Sequence, residues 1–175
     1  MPSLQFRLRL FWYRLDKEAC AAALGFGVIA GCLAFAVQAV MVEREQALRR
    51  LQAAHAQNIA CLARNVYFEA RGEPEAGQYA VAEVTMNRKA SGRYSNTVCG
   101  VVYERQAFSW TAVDILPEPE GEAWDRAQEI ADEVYHGRHT PVLNGALFFH
   151  ATYVKPDWAG ERRRVARIGN HIFYR

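Results

Sequence analysis

The sequence has no internal repeat and no low-complexity tract, which sets aside solenoid and array architectures. It contains no H-E-x-x-H element, so a zincin-type metal site has no scaffold. It also has no G-x-S-x-G, which leaves Ser109 without the turn that activates a serine nucleophile. Beyond residue 42 there is no charge surplus. Residues 1–42 hold four Lys/Arg and two Asp/Glu, the whole formal excess of +2, and the remainder carries seventeen of each sign. The alkaline character therefore belongs to the N-terminal flank, and nothing here argues for a nucleic-acid partner. Cysteine is scarce. Of four, Cys20 and Cys32 fall in an apolar run, leaving Cys61 and Cys99 for the rest of the chain.

That apolar run, Cys20 to Val42, is 23 residues without a charge and with Gln38 as its one strongly polar side chain. Its length suits a bilayer core of about 30 Å. Small residues around Val37-Gln38-Ala39 would suit cleavage as a signal peptide. The run is nevertheless longer than an h-region of about 7–15 residues, and its preceding flank is long. Arg7, Arg9, Arg14 and Lys17 before the span, against Arg44, Arg49 and Arg50 after it, give a weak positive-inside signal. The expected organisation is a cytoplasmic flank (1–19), a transmembrane anchor or signal segment (20–42), a charged helical stalk (43–57) and a domain outside the cytoplasm, on the periplasmic side (58–175). In an oxidising compartment, Cys61 and Cys99 are expected to form one disulfide; two buried thiols are the alternative.

Within the domain, Ile59, Leu62, Ala63, Val66 and Ala70 recur at helical spacing. At roughly 100° per residue, Glu69 lies about 20° from Leu62, on the rim of that apolar face and beside Asn65. Gly72 stops this helix and Pro74 starts the next. A carboxylate there is either a helix-end group turned to water or a half-desolvated acid with a raised pKa. The second helix, from Pro74 or Glu75 to about Ala90, carries Glu83 near the centre of its own apolar stripe of Ala76, Tyr79, Ala80 and Val84. Thr97–Tyr103 reads as a short strand or a buried helical turn. A third helix runs from Glu122 to Tyr135. The alternating segment Ala146–Val154 and the stretch Arg162–Tyr174 read as a β-hairpin.

Three motifs stand in order along residues 58–175: EARGEPEAGQYAVAEVTMNR from Glu69, the Phe108-Ser109-Trp110 loop, and HATYVKPDW followed by ARIGNHIFYR. Together they closely resemble the SleB-type cell-wall hydrolases, relatives of spore-cortex-lytic enzymes. The resemblance implies an α+β, mainly helical lysozyme-like domain with no cofactor, acting on the glycan strands of peptidoglycan between N-acetylmuramic acid and N-acetylglucosamine. It also implies that Glu69 is the catalytic acid/base of a lytic transglycosylation, in which the muramoyl 6-hydroxyl closes a 1,6-anhydro ring.

Glu83 is the second carboxylate on an inward face, as a partner acid or as an orienting group. Glu73 reads as a cap of the second helix or a solvated side chain. Tyr67, Phe108, Trp110 and Tyr153 are candidate sugar platforms, and Asn65, Asn87, Ser109, His150 and Asn170 candidate polar contacts. Two other functions compete. A zinc amidase would use His136, His139, His150 and His171 with Glu69 as base, and a wall-binding module would leave Glu69 dispensable. No protein partner is indicated.

Overall fold

The structure, a computed structural model, describes residues 4–175; the first three residues of the N-terminal flank lie outside the described residues. The chain forms two compact units, Met1–Leu51 and Gln52–Arg175. The first helix, α1 (Leu4–Ala70), runs through both. Among the described residues of the first unit, Leu24, Phe26, Leu33 and Phe35 are all well exposed. This is a helix long and apolar enough to cross a bilayer, compatible with an anchor or a signal sequence. The stretch after it stays helical, and Glu45 and Arg49 pair across one turn at 2.7 Å.

The second unit starts a few residues before the expected boundary. His55 already packs edge-on against Tyr135, with ring centroids 5.7 Å apart. The helix then buries Leu62, Ala63 and Val66 completely. Opposite it lie α2 (Glu75–Ala90) and α4 (Gly121–Tyr135), the latter contributing Ala127, Ile130 and Ala131. Helix α2 has neighbours on two sides. Tyr79 and Ala82 join the helical core, while Ala80 and Val84 join a second cluster with Leu143, Ala146 and Phe173. Its small Ala and Val side chains are what allow neighbours to approach on both sides.

Thr97–Tyr103 resolves as a helical turn, α3 (Val98–Val102). Capping decides the matter. The Thr97 hydroxyl accepts from the Gly100 N–H at 3.0 Å, and the Asn58 carboxamide oxygen accepts from the N–H groups of Val98 and Cys99. This seats Cys99 beside α1, where it is bonded to Cys61 across a Cα–Cα distance of 5.2 Å. Closing a loop of 38 residues is worth about 4 kcal/mol in the chain-entropy model.

The C-terminal hairpin expectation needs correction. The segment is a three-stranded antiparallel sheet of β1 (Phe148–Ala151), β2 (Arg164–Ile168) and β3 (His171–Tyr174), in the order β1-β3-β2. Arg162–Tyr174 folds back on itself at Gly169, whose φ of 55° favours glycine, so β3 lies between the other two. The turn is held by Glu73, from the connection between α1 and α2. Its carboxylate accepts from the Asn170 N–H at 2.8 Å and from the Asn170 side-chain amide at 3.1 Å. A Cβ on Gly169 would stand only 2.1 Å from the same carboxylate. Glu73 thus neither caps α2 nor faces free solvent; it fastens the α1–α2 connection to the β2–β3 turn.

Candidate active site

Glu69 belongs to the last turn of α1, and its side chain opens into a cleft of about 460 Å³. Four other elements complete the walls. Phe108 and Ser109 come from the loop after α3, Arg88 from α2, Phe149 and His150 from β1, and His171 from β3. Tyr153 stands at the edge and is 86% exposed. Among the described residues lining this cleft, Glu69 is the sole carboxylate.

Glu69 is half-buried, and burial pushes its pKa from 4.5 up to about 7, with the Arg88 guanidinium opposing the shift. Removing water from around a carboxylate penalises the charged form, so near neutral pH this group still holds a proton it can donate. Arg88 is itself almost wholly buried. Its Nε donates to the Leu147 carbonyl at 2.8 Å, and its guanidinium carbon lies 5.0 Å from the Phe108 ring centre and 5.4 Å from that of Tyr94. The cation is therefore fixed in place rather than free to neutralise Glu69 through a direct ion pair.

Two histidines differ in freedom. His150 is locked: Nδ1–H donates to the Ala151 carbonyl at 2.8 Å, which leaves Nε2 to accept from the Tyr174 hydroxyl at 2.9 Å, and the ring stacks on Tyr174. His171 is 7% exposed, with Nδ1 sealed off and without a partner. Burial lowers its pKa, Glu73 opposes this and His150 adds to it. It is a neutral ring at physiological pH.

Of the residues read from sequence, the structure brings Glu69, Phe108, Ser109, His150 and Tyr153 to one cleft. The others stand elsewhere. Asn65 is fully buried, donating to the Thr85 hydroxyl at 3.1 Å and accepting from the Trp110 indole N–H at 2.9 Å. Trp110 stacks on Phe68 from below, and Tyr67 packs edge-on to Trp124. Both support the end of α1 from inside, as core residues rather than sugar platforms. Asn87 donates to the Ala146 carbonyl, and Asn170 is taken up by Glu73.

Glu83 is corrected as well. It does not line the cleft, and its oxygens accept from the N–H groups of Val142 and Leu143 and pair with His139 at 2.9 Å. A carboxylate on the inward face of α2 serves to fasten residues 139–143 to that helix. His139 meanwhile stacks on Tyr79, and His136 pairs with Asp132. His136 and His139 thus stand away from the cleft that His150 and His171 line, so the four do not form one site. No group of three or more His, Cys, Asp or Glu is arranged to hold a metal among the described residues.

The sequence reading leaves Arg88 out of the cleft and sets His171 beside Glu69 only as a zinc ligand, although both carry a signal. Arg88 follows Ala80 and Val84 at intervals of four, on the inward stripe of α2. His171 alternates with Phe173, the most deeply buried strand residue.

The sequence model of the family described as Cell Wall Hydrolase matches residues 72–174. The chain belongs to that family. The matched span runs from the α1–α2 connection through β3 and starts three residues after Glu69. Among relatives, the spore cortex-lytic enzyme of Oceanobacillus iheyensis is 36% identical over 120 residues, 66% of this chain and 41% of that protein. The spore cortex-lytic enzyme of Bacillus subtilis is also 36% identical, over 66% of this chain and 37% of that protein. The chain thus spans about two fifths of the length of the curated relatives it matches. Among solved structures, the catalytic domain of the germination-specific lytic transglycosylase SleB from Bacillus anthracis aligns with a TM-score of 0.58 at 33% identity, over 67% of this chain and 93% of that one. The catalytic domain of the Bacillus cereus SleB protein aligns at 0.55 and 32% identity, over 68% and 91%. The mainly helical domain with its small antiparallel sheet is the architecture shared with the family's solved members.

The environment of Glu69 fixes a pH dependence. A step that takes its proton from Glu69 is expected to run at full rate well below pH 7 and to fall about tenfold per pH unit above it. Charged or titratable groups facing the carboxyl are Arg88, His150, His171 and Tyr153. The measurement is kcat/KM on purified wall from about pH 3.5 to 9. An alkaline limb near 4.5 would show that the carboxyl is not desolvated in solution.

Proposed function

We propose that the chain cleaves the glycan strands of peptidoglycan at the bond between N-acetylmuramic acid and N-acetylglucosamine, by lytic transglycosylation. The observation that carries this is a lone, half-buried carboxyl in an open cleft. Glycosidases that use water or a covalent intermediate work with a pair of carboxyl groups about 5–9.5 Å apart. Intramolecular closure needs only one. Protonated Glu69 gives its proton to the glycosidic oxygen, and the bond from the muramoyl anomeric carbon to that oxygen breaks. The carboxylate left behind then takes the proton of the muramoyl 6-hydroxyl as its oxygen bonds to the anomeric carbon. Glu69 ends protonated, no water is consumed and the product is a 1,6-anhydro ring. A pKa near 7 suits a group that must be acid in one half of the cycle and base in the other. The solved relative from Bacillus anthracis, described as a lytic transglycosylase, supports the same reading.

Bond choice is tested by digesting purified sacculi with the detergent-solubilised full chain. Cut glycan with peptides still attached, at a rate unchanged by chelator, is the expected result. Intact strands with freed peptides, or activity lost to chelator and restored by zinc, would instead establish the amidase.

The apolar part of α1 supports membrane attachment, with the basic residues before it held in the cytoplasm and the Glu69 domain on the periplasmic side. A reporter fused after residue 60 should be active outside the cytoplasm and sediment with membranes. A shortened soluble product would mean cleavage near Ala39.

A further inference from the structure

Beside the Glu69 cleft lies a second chamber of about 380 Å³, within the range of ligand pockets (about 300–1,000 Å³). The two are adjoining rooms, sharing Arg88, Ala107 and Phe149 as a common wall. The outer walls of the second are aromatic. Trp158 meets Phe148 at 5.8 Å and stands edge-on to Tyr174 at 5.5 Å, so its ring is braced from two sides. Charge in the chamber is lopsided. Arg88 and Arg105 line it against one carboxylate, Glu104. Arg162 does not line the chamber, but its guanidinium lies 3.5 Å over the Phe148 ring and 5.6 Å from Trp158, which places a further cation against two of the chamber's walls. Two guanidinium groups against one carboxylate, the Arg88 cation almost wholly buried and the Arg105 cation exposed, favour an anionic ligand, and carboxylates match their geometry.

Resting on the reading of the cleft given above, we propose that this chamber houses the acidic stem peptide of the muramoyl residue bound at Glu69. The chemistry of the substrate places it there. That peptide hangs through a lactyl ether from C3 of the same ring whose C1 is attacked, so its root lies within one ring width of the breaking bond. It carries free carboxylates along its length. A chamber sharing a wall with the cleft, cationic on balance and lined by flat rings, provides both the position and the complementary charge.

The test compares two substrates with the full chain in detergent: strands bearing peptides, and the same strands stripped of peptides by an amidase. Arg105→Glu reverses the sign of an exposed residue of the chamber and is expected to raise KM for peptide-bearing strands about ten- to a hundredfold, with kcat retained. KM for stripped strands should stay within about twofold of the wild type, and Arg105→Gln should give an intermediate, equally selective defect. Equal losses on both substrates, or no loss on either, would overturn the assignment: the first result would place a sugar ring or a structural role there, the second nothing. Failure of the underlying reading looks different. In that case Glu69→Gln would leave both substrates cleaved at the wild-type rate, whatever the Arg105 variants do.

Discussion

Glu69→Gln is expected to lower glycan cleavage by about 10²–10⁴-fold while leaving binding to sacculi unchanged. The amide has the shape of the acid and retains most of its hydrogen bonding, yet has no proton to give a leaving oxygen. Stability supplies an independent check on the same side chain. Burial raises the pKa of Glu69 from 4.5 to about 7, so its protonated form is the one the fold favours. That favourable contribution is complete below the unfolded value near 4.5 and is lost as pH rises toward 7. Above pH 7 the wild type holds a partly desolvated charge that Gln does not. The variant should therefore melt no lower than the wild type at pH 8, and higher if the site is as dry as its walls suggest. Inactivity together with equal or greater stability is the signature of a catalytic group kept at some cost to the fold. Full activity in the variant would remove Glu69 from the mechanism. A collapse in melting temperature would show that the carboxyl holds the domain together.

Glu69 was readable from sequence because a helix end is locally encoded. The apolar stripe from Ile59 to Ala70 sets the face, and Gly72 with Pro74 sets the end, so the position of one carboxylate follows from residues within a dozen of it. The bond between Cys61 and Cys99 needed little more, since two cysteines outside the apolar run have only each other. Glu83 marks where such reasoning stops. On its helix it looks as inward as Glu69, and what separates the two is the partner. The N–H groups that occupy Glu83 come from Val142 and Leu143, some 60 residues on, in a segment with no periodic signal. Asn65 follows the same pattern, because its amide is claimed by Thr85 and Trp110. The sheet illustrates a third limit. Alternation marks Phe148–Ala151 and His171–Tyr174 as extended, but pairing order depends on the turn at Gly169, which is held by Glu73 nearly a hundred residues earlier. Polar side chains on inward faces are thus visible in sequence, while their assignment to chemistry or to anchoring depends on contacts that only the fold supplies.

One feature of the cleft bears most on mechanism: a single carboxyl with no second carboxylate among the described residues around it. If Glu69 acts as acid and then as base, the muramoyl 6-hydroxyl must take the place of water. The decisive measurement is mass spectrometry of the fragments released from purified sacculi by the wild-type chain, read at their muramoyl ends. Lytic transglycosylation by Glu69 predicts 1,6-anhydromuramoyl ends throughout, absent from the Glu69→Gln digest. Reducing muramoyl ends, formed with uptake of water, would contradict it and require a second group that activates a water molecule opposite Glu69.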